Sequence, residues 1–422
     1  MESTTQIGDT VNHLFRHEAG KMVSVLTRIF GAHNIELAED VVQDTLIKAL
    51  EHWKFHGTPE NPSAWLFTAA RNKALDVIRR ERHHKEFAAA ISPLLKSEYS
   101  ASPTLQQLVK ENEIEDEQLQ MMFVCCHPSV QEEGQVALIL KTLCGFSVAE
   151  IAKAFLTGEE TITKRLYRAR QQFREEEIAF ALPPPRELQK RLDNVLTAIY
   201  LIFNEGYNSS HHDSLIREDL VEESLRLGKM LVDHPLTRRP ESFGLLALMC
   251  FQSARLYGRV DVSGNLIQLK DQDRKLWNKE LVQQGIFYLH QASQGEKVSA
   301  YHIEAAIAHE HCIANSYGET NWNKILTLYD WLLEIKPDAL IALNQLIVFA
   351  EVNGPAAALE KIQSLPNKDL IKNYYLYPAV LGEWHSQLGH AADAKRYFEE
   401  AITLTHSPSE KQLLTNKITK LL

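Results

Sequence analysis

Hydrophobic and polar positions follow helical spacing along most of the chain. Over residues 38–50, apolar side chains recur every three or four positions, and charged and amide side chains lie opposite them, which is typical of an amphipathic helix. The apolar face comprises Ala38, Val41, Val42, Thr45, Leu46, Ala49 and Leu50, and the polar face Glu39, Asp40, Gln43, Asp44 and Lys48. The spacing returns over 192–203, whereas only 259–269 favours a small hairpin or an extended loop. The pattern therefore predicts an all-α fold.

Turn-forming residues divide this helical pattern into segments. Asn61 is placed to cap a helix that begins at Pro62 and runs to about Arg82, because an amide side chain and a first-turn proline both favour a helix start. Helical periodicity is lost over 88–113, which indicates a linker. A second helical block runs from about 115 to 180 and must end at the three prolines 183–185, which no helix crosses.

The last third of the chain contains a repeat-like pattern. Small and large residues alternate there at the spacing of tetratricopeptide (TPR) helix pairs: Leu381, Gly382, Leu388, Gly389, Ala394, Phe398 and Ala401. Residues 325–337 match the second helix of such a pair, and 343–366 match a shorter, degenerate unit. Because each pair buries its apolar face by stacking on a neighbour, about three units are expected to pack together.

Composition excludes several classes of protein. The chain has 422 residues, of which 45% are hydrophobic and 24% charged, values that are ordinary for a soluble globular protein. No apolar run is long enough to span a membrane, and the polar N-terminal residues do not resemble a signal peptide, so we expect a cytoplasmic protein without a membrane partner. Five cysteines in so long a chain do not indicate a disulfide framework.

Charge is distributed unevenly along the chain. The formal net charge is −10, which taken alone argues against nucleic-acid binding. Residues 71–85, however, contain six basic side chains and two acidic ones, and residues 161–174 contain five basic side chains and no acidic one. Two basic stripes on an acidic background are what a protein with two phosphate-facing helices needs, although solvated helix faces are the alternative explanation.

The second basic stripe belongs to a predicted helix-turn-helix. Two short helical segments, 146–155 and 161–173, are joined by residues 156–160, a short turn that contains Gly158. Each is expected to begin with a capping box, Ser147 with Glu150 in the first and Thr157 with Glu160 in the second. In the second helix the inward positions are Ile162, Leu166, Ala169 and Phe173, and the outward ones Thr161, Lys164, Tyr167, Arg168 and Gln171, flanked by Thr163, Arg165, Arg170 and Arg174. Donors without acids on one face favour DNA recognition over a plain αα-hairpin.

Two blocks of sequence resemble a known family. Residues 38–50, 61–66 and 69–80 closely resemble region 2 of the extracytoplasmic-function (ECF) sigma factors, and the helix-turn-helix resembles their region 4. The runs Cys125-Cys126-His127-Pro128, 201–207 and 269–274 resemble the ECF group that carries a long helical C-terminal extension ending in TPR-like repeats. The resemblance covers nearly the whole chain. It implies region 2 at 1–87, a linker at 88–114, region 4 at 115–182, a helical middle domain at 183–295 and TPR-like repeats at 296–422.

The resemblance also implies roles for particular residues. Core RNA polymerase would be bound through its β′ clamp helices and its β flap, with Asp40, Gln43, Asp44 and Lys48 on the clamp; a solvated helix face is the alternative. The −10 element would be bound by His56, Arg71, Asn72, Lys73, Arg79 and Arg80, next to a loop at 56–60 that captures a flipped base, while Trp65 is expected in the core. The −35 element would be bound by Thr161, Thr163, Lys164, Arg165, Tyr167, Arg168 and Gln171.

No catalytic constellation is predicted. The Cys125-Cys126-His127 run lacks a second pair of ligands at the spacing of a zinc finger. The His211-His212-Asp213 run lies in a segment predicted to be a loop, where solvated side chains are favoured over a metal site. We therefore expect no metal, no cofactor and no enzyme activity. The predicted function is that of an RNA polymerase sigma factor acting at specific promoters, with a C-terminal domain that regulates it and binds a regulatory protein or ligand.

Two other functions are consistent with parts of the sequence. A helix-turn-helix regulator with a TPR-like sensing domain would bind duplex operators without core polymerase, but it leaves the 38–82 block unexplained. An enzyme would require Glu205, His211 and Asp271 to meet in a pocket.

Overall fold

The fold is known from a computed structural model, which describes Phe15 and residues 18–81, 111–154, 157–176, 178–208, 216–261 and 265–421, the side chains of 79–81, 111–116 and 153–154 excepted. The regular structure of these residues is helical, as predicted, and the described part contains one isolated antiparallel bridge, Val260 with Leu266, in place of strands. The helices are α1 (18–30), α2 (Ile35–His56), α3 (Pro62–Glu81), α4 (Glu111–Cys125), α5 (Glu132–Thr142), α6 (Val148–Ala154), α7 (Glu159–Glu175), α8 (Pro185–Tyr207), α9 (Glu218–Asp233), α10 (Pro240–Ser253), α11 (Lys279–Ala292), α12 (Ala300–Ile313), α13 (Trp322–Ile335), α14 (Ala339–Asn353), α15 (Pro355–Lys361), α16 (Leu376–Gln387), α17 (Ala391–Leu404) and α18 (Pro408–Thr419).

The helix boundaries follow the local signals in the sequence. The Asn61 side chain accepts a hydrogen bond from the Ala64 backbone N–H at 3.0 Å, which confirms the predicted cap of α3. Helix α2 ends at His56, where Gly57 takes a positive φ of 78° that favours glycine. Helix α8 begins at Pro185, so the proline run does separate two helical blocks as expected.

The chain divides into two compact units, residues 1–202 and 203–422, and the division falls within α8. In the first unit, α1, α2 and α3 enclose a core whose fully buried side chains include Met22, Leu26, Ile35, Val42 and Leu66. Trp65, expected in this core, is only partly buried. Its ring lies at the edge of the core, 5.6 Å from the ring of Trp53 and 5.4 Å from that of His52.

In the second unit, successive helices share hydrophobic clusters. One cluster joins α12, α13 and α14 through side chains such as Ile303, Ile325 and Val348, and the next joins α14, α15 and α16. Helices α16 and α17 approach so closely that a Cβ atom on Gly382 would lie 2.7 Å from the ring of Phe398. A consecutive stack of this kind is the packing that helical repeats require; the assignment to the TPR class stays a prediction.

A long connection in the second unit is closed by a backbone hydrogen bond. The Asn278 N–H donates to the Ala254 carbonyl at 2.8 Å, so that residues 254–278, here called the 254–278 loop, form a closed segment between α10 and α11. The loop contains the Val260–Leu266 bridge and short 3₁₀ turns. This agrees with the extended loop or small hairpin predicted for 259–269, of which residues 262–264 lie outside the described part.

The cysteines pack as apolar side chains. Cys125, Cys126, Cys144 and Cys250 are buried and Cys312 is partly buried, all as free thiols. Burial raises the pKa of Cys125 and of Cys250 to about 12, as expected for thiols removed from water. In the part of the chain that the structure describes, no helix is both long and apolar enough to cross a membrane.

Candidate nucleic-acid and polymerase interface

Helix α2 presents a continuous exposed face. Asp40, Gln43, Asp44 and Lys48 are all exposed, and their spacing of three or four residues aligns them along one side of the helix. The opposite stripe, formed by Ala38, Val41, Val42, Thr45, Ala49 and Trp53, is buried in the core. The predicted polar face therefore faces solvent, where a partner can reach it.

Two large apolar residues accompany this polar face. Ile47 is 55% exposed and Leu50 is 51% exposed. Leu50 was expected on the buried face and that expectation is wrong, because the buried stripe continues from Ala49 to Trp53 and leaves Leu50 beyond its edge. Exposed aliphatic side chains next to charged ones are typical of an interaction surface. The sequence signal for this surface is a pair of aliphatic residues three and six positions after Asp44, on the polar side of the helix.

The residues predicted for the −10 element lie on α3 and at the end of α2. Asn72 and Lys73 are exposed and Arg71 is partly exposed. The Lys73 Nζ atom lies 2.8 Å from an Asp44 carboxylate oxygen, which joins the predicted DNA face to the predicted polymerase face. His56 is exposed and stacks on His52 with ring centroids 4.3 Å apart. The side chains of Arg79 and Arg80 lie outside the described residues.

Helix α7 has the two faces expected of a recognition helix. Ile162, Leu166, Ala169 and Phe173 are buried, which confirms the predicted inward face. The residues predicted for the −35 element are Thr161, Thr163, Lys164, Tyr167, Arg168 and Gln171, all exposed, and Arg165, which is partly exposed. Tyr167, at 59% exposure, is the largest uncovered aromatic side chain of this face.

One of the two predicted capping boxes is present. Ser147 and Glu150 exchange hydrogen bonds of 2.8 and 3.2 Å between side chain and backbone, as predicted. The second box is wrong: α7 begins at Glu159 with Gly158 as its N-cap, so Thr157 lies one residue too early to cap the first turn. Glu160 instead forms an ion pair with Lys164 at 2.7 Å.

The basic end of α7 meets the start of α2: Arg170, predicted to flank the outward face, is largely covered, whereas Arg174 stays exposed although it is paired. Arg170 Nη2 lies 2.5 Å from the Glu39 Oε2 atom, and Arg170 Nη1 lies 3.8 Å from a Glu36 oxygen. Arg174 forms a second ion pair with Glu36. Glu39, predicted on the polar face of the helix, is largely covered by this contact. Helical spacing predicts on which face of its own helix a residue lies, but not which distant helix will cover that face.

Burial makes the Glu39–Arg170 pair costly as well as attractive. Burial raises the pKa of Glu39, and the nearby Arg170 and Lys141 cations only partly oppose that rise. Glu39 Oε1 and Arg170 Nε are both buried without a hydrogen-bond partner. The pKa of the Glu39 carboxyl is higher in the folded state than in the unfolded chain, so protonation of this group favours folding. This stabilisation is fully present at pH values below the pKa of the unfolded state. The contribution is then lost as the pH rises through the folded value.

Further contacts join the same two groups of helices. Arg28 of α1 forms an ion pair with Glu117 of α4. Gly20 of α1 lies against the end of α5 so closely that a Cβ atom there would overlap the Leu143 carbonyl oxygen. Together with the pairs that Arg170 and Arg174 form, these contacts define what we call the inter-segment contact, between α1–α3 and α4–α7. Such close backbone approach is possible only at glycine.

The side chains of the Cys125-Cys126-His127 run are engaged in core packing and in local hydrogen bonds. The Cys125 sulfur lies 3.8 Å from the Thr142 hydroxyl, and the His127 Nδ1 atom lies 2.7 Å from the Ser129 hydroxyl. Among the described residues, no group of three histidine, cysteine or acidic side chains is arranged to hold a metal ion. His211, His212 and Asp213, the other candidates, lie outside the described residues.

Comparison with known proteins assigns these helices to a family. The family model for Sigma-70 region 2 matches residues 14–84, and the model for Sigma-70 region 4 matches residues 120–173. The ECF RNA polymerase sigma factor SigL of Mycobacterium tuberculosis is 29% identical over 133 residues, 31% of this chain and 70% of SigL. The ECF RNA polymerase sigma factor EcfG of Rhodopseudomonas palustris (strain TIE-1) is 30% identical over 138 residues, 32% of this chain and 69% of EcfG.

The chain belongs to the ECF sigma factors of the sigma-70 family. It carries a C-terminal extension, part of which, residues 191–293, matches a family of unknown function (DUF6596). An uncharacterized protein of Rhizobium meliloti (strain 1021) is 33% identical over 388 residues, 92% of this chain and 90% of that protein, so it shares the extension as well as the sigma regions. No solved structure matches this ECF sigma factor.

Breaking the Glu39–Arg170 pair is expected to destabilise the fold, although the intact pair adds little net stability over separated, hydrated charges. We expect Arg170→Met to lower the free energy of unfolding by about 3 kcal/mol, because it leaves the largely buried Glu39 carboxylate without its partner. Glu39→Gln should lower it by about 1–2 kcal/mol, because Arg170 keeps the Glu36 carboxylate 3.8 Å away. The double variant should lose about 1–3 kcal/mol less than the sum of the two effects. Urea unfolding of the full-length protein, followed by circular dichroism, measures all three values.

The matched control for this cycle is Lys164→Met on the same helix, whose ion pair with Glu160 is exposed. Its effect should stay within about 0.5 kcal/mol. Additive losses in the double variant would contradict the coupling between the two helices.

Proposed function

We propose that this ECF sigma factor directs core RNA polymerase to specific promoters and takes part in initiation, while the polymerase itself performs nucleotidyl transfer. The observation that carries the proposal is the exposed face of α2, where polar residues surround the uncovered side chains of Ile47 and Leu50. A charged face with an apolar centre suits a protein partner better than DNA. Asp40, Gln43, Asp44 and Lys48 are its proposed polymerase-binding residues.

Two other faces are proposed to bind promoter DNA. His56, Arg71, Asn72 and Lys73, with Arg79 and Arg80, would bind the −10 element, since basic grooves hold single-stranded DNA. The exposed face of α7 would enter the major groove of the −35 element. In this proposal region 2 occupies 1–87, a linker 88–114, region 4 115–182, a helical middle domain 183–295 and TPR-like repeats 296–422.

The inter-segment contact is proposed to belong to the polymerase-free state. Arg170 and Arg174 are paired with acidic residues of α2 in this arrangement, so they are not available to DNA phosphates. The acidic balance of the whole chain, −10, further disfavours non-specific DNA binding. Free protein should therefore bind promoter DNA weakly, and polymerase binding should accompany separation of the two segments.

Titration of labelled full-length protein with core RNA polymerase, followed by addition of promoter-length DNA, tests the proposal. We expect submicromolar binding to core enzyme and DNA binding only by the complex. Asp40→Lys should weaken core binding by about tenfold or more, because it places a cation on a face that meets a complementary surface.

Glu133→Lys makes the same charge change at an exposed position of α5 and serves as the control. It should leave core binding unchanged. Tight sequence-specific DNA binding by the free protein would instead support a helix-turn-helix regulator that needs no polymerase.

Promoter contacts by α7 are tested with Arg168→Ala. We expect the variant holoenzyme to bind promoter DNA with an affinity about 5–100-fold lower, the loss expected for one good base or phosphate contact. Arg186→Ala, at an exposed arginine outside α7, is the matched control. Equal effects of the two substitutions in a filter-binding or fluorescence assay would remove α7 from the DNA interface.

The C-terminal unit is proposed to regulate the sigma regions through a bound regulatory protein or ligand. A stack of consecutive helices offers the extended surface that repeat proteins use for partners. A truncated chain ending at Tyr207 retains all of α8, whose Arg191 and Asn194 side chains hydrogen-bond to Phe123 and Gln135.

In transcription assays on a promoter selected by the full-length holoenzyme, the truncation should change activity by about fivefold or more, corresponding to a coupling of about 1 kcal/mol. Unchanged activity, with the truncated chain folded by circular dichroism, would exclude this regulatory role.

A further inference from the structure

The 254–278 loop contains three arginines that lack acidic partners. Arg255, Arg259 and Arg274 belong to this loop, and in the part of the chain that the structure describes no carboxylate forms an ion pair with any of them. Arg259 donates to the Tyr207 carbonyl and stacks on the Tyr207 ring with its guanidinium carbon 3.7 Å from the ring centroid. That accounts for Arg259, whereas the other two arginines need a further explanation.

Arg255 and Arg274 converge on one buried indole ring. Their guanidinium carbons lie 5.3 and 4.7 Å from the ring centroid of Trp277, which is only 5% exposed. Burial and the neighbouring Arg255 cation lower the pKa of Arg274, so the two cations repel one another in a partly desolvated site. Cation–π contact with the indole offsets only part of this cost.

Hydrogen bonding satisfies only some of the donors in this cluster. Arg274 Nη1 donates to the carbonyls of His311 at 2.5 Å and Ala314 at 2.7 Å, at the C-terminal end of α12, a favourable position for a cation. Arg255 Nη2 reaches the Gln272 side chain at 3.4 Å. Arg255 Nε, Arg274 Nη2 and Trp277 Nε1 are buried with no acceptor. Buried donors without acceptors are rare, and an ion that is not part of the chain is one of their recurrent explanations.

The surroundings of these donors are electrically suited to an anion. Burial and the two arginines lower the pKa of His311 to about 3, so its imidazole is neutral at physiological pH and its unpartnered Nδ1 atom adds no charge. Gly258 faces the indole N–H, and a Cβ atom there would lie 2.8 Å from Trp277 Nε1. A larger residue would therefore cover the edge of the indole that carries the donor.

We propose that the 254–278 loop binds one small anionic group, a carboxylate or a phosphate, through Arg255, Arg274 and the Trp277 N–H. An oxyanion supplies acceptors for the unpartnered donors and neutralises the two cations, and the planar guanidinium fork matches both kinds of anion. Arg255 and Arg274 are partly exposed, whereas the three unpartnered donors are buried, so the proposed anion lies beneath the surface of the loop. The site lies in the segment that matches the family of unknown function, and it does not depend on how the sigma regions act.

Equilibrium dialysis of the full-length protein tests this site with two probes, radiolabelled inorganic phosphate and radiolabelled acetate, in chloride buffers of constant ionic strength. We expect saturable binding of one anion per chain. Tighter binding of phosphate assigns the site to phosphate-bearing ligands, and tighter binding of acetate assigns it to carboxylates.

Three variants locate the binding. Trp277→Phe keeps a ring beneath the arginines but removes the N–H, and should weaken binding by about fivefold, the loss of one hydrogen bond to an ion. Arg255→Gln should weaken it by about tenfold or more. Arg396→Gln removes the same charge from an exposed arginine of the second unit, paired with Asp393, and should leave binding unchanged.

Thermal unfolding verifies that each variant is folded. If Arg255→Gln does not fold, the affinity of Trp277→Phe alone tests the location of the site. Saturable binding of neither probe would overturn the proposal. So would equal affinities in Trp277→Phe and the unsubstituted protein, because phosphate held by the basic face of α7 would not respond to a change in the 254–278 loop.

Discussion

The arrangement of the first unit depends on an ion pair between helices that are far apart in sequence. Arg170, near the end of the recognition helix, meets Glu39, in the first turns of α2, at 2.5 Å. The pair is largely buried, and each partner retains one buried polar atom without an acceptor or donor. Such a contact is specific in geometry but offers little net stability over separated, hydrated charges. It therefore suits the reversible association proposed for these two segments.

The remaining faces of the same helices are uncovered. The polar and apolar side chains of α2 around Ile47, and the donors of α7 around Tyr167, are exposed while the two segments are in contact. The Lys73–Asp44 pair joins the proposed −10 face to the proposed polymerase face. A partner approaching α2 would thus meet both surfaces together, which is the spatial relation that a specificity subunit requires. Binding there would also change the environment of the nearby acidic turn of α2.

The second unit follows a different organisation. Its later helices share clusters with the next helix in the chain, so stability accumulates along the stack. The 254–278 loop interrupts this regularity and brings Arg255, Arg274 and Trp277 together. Lys270 of the loop also pairs with Glu383 of α16 at 3.0 Å. An anion bound in the loop would consequently be connected to the repeat-like helices through this ion pair.

Much of this protein was predictable from local sequence. The all-α fold, the Asn61 cap, the Ser147–Glu150 capping box and the buried face of α7 all follow from short-range spacing, because helix periodicity and capping involve residues within a few positions of one another. The exposed Leu50, the buried Glu39 and the paired Arg170 did not follow. Their environment is set by which helices pack together, and long-range pairing leaves no mark in local periodicity. Local sequence thus predicts the helices and the family, but which charges are paired and which lack partners depends on the packing of helices that are distant in sequence.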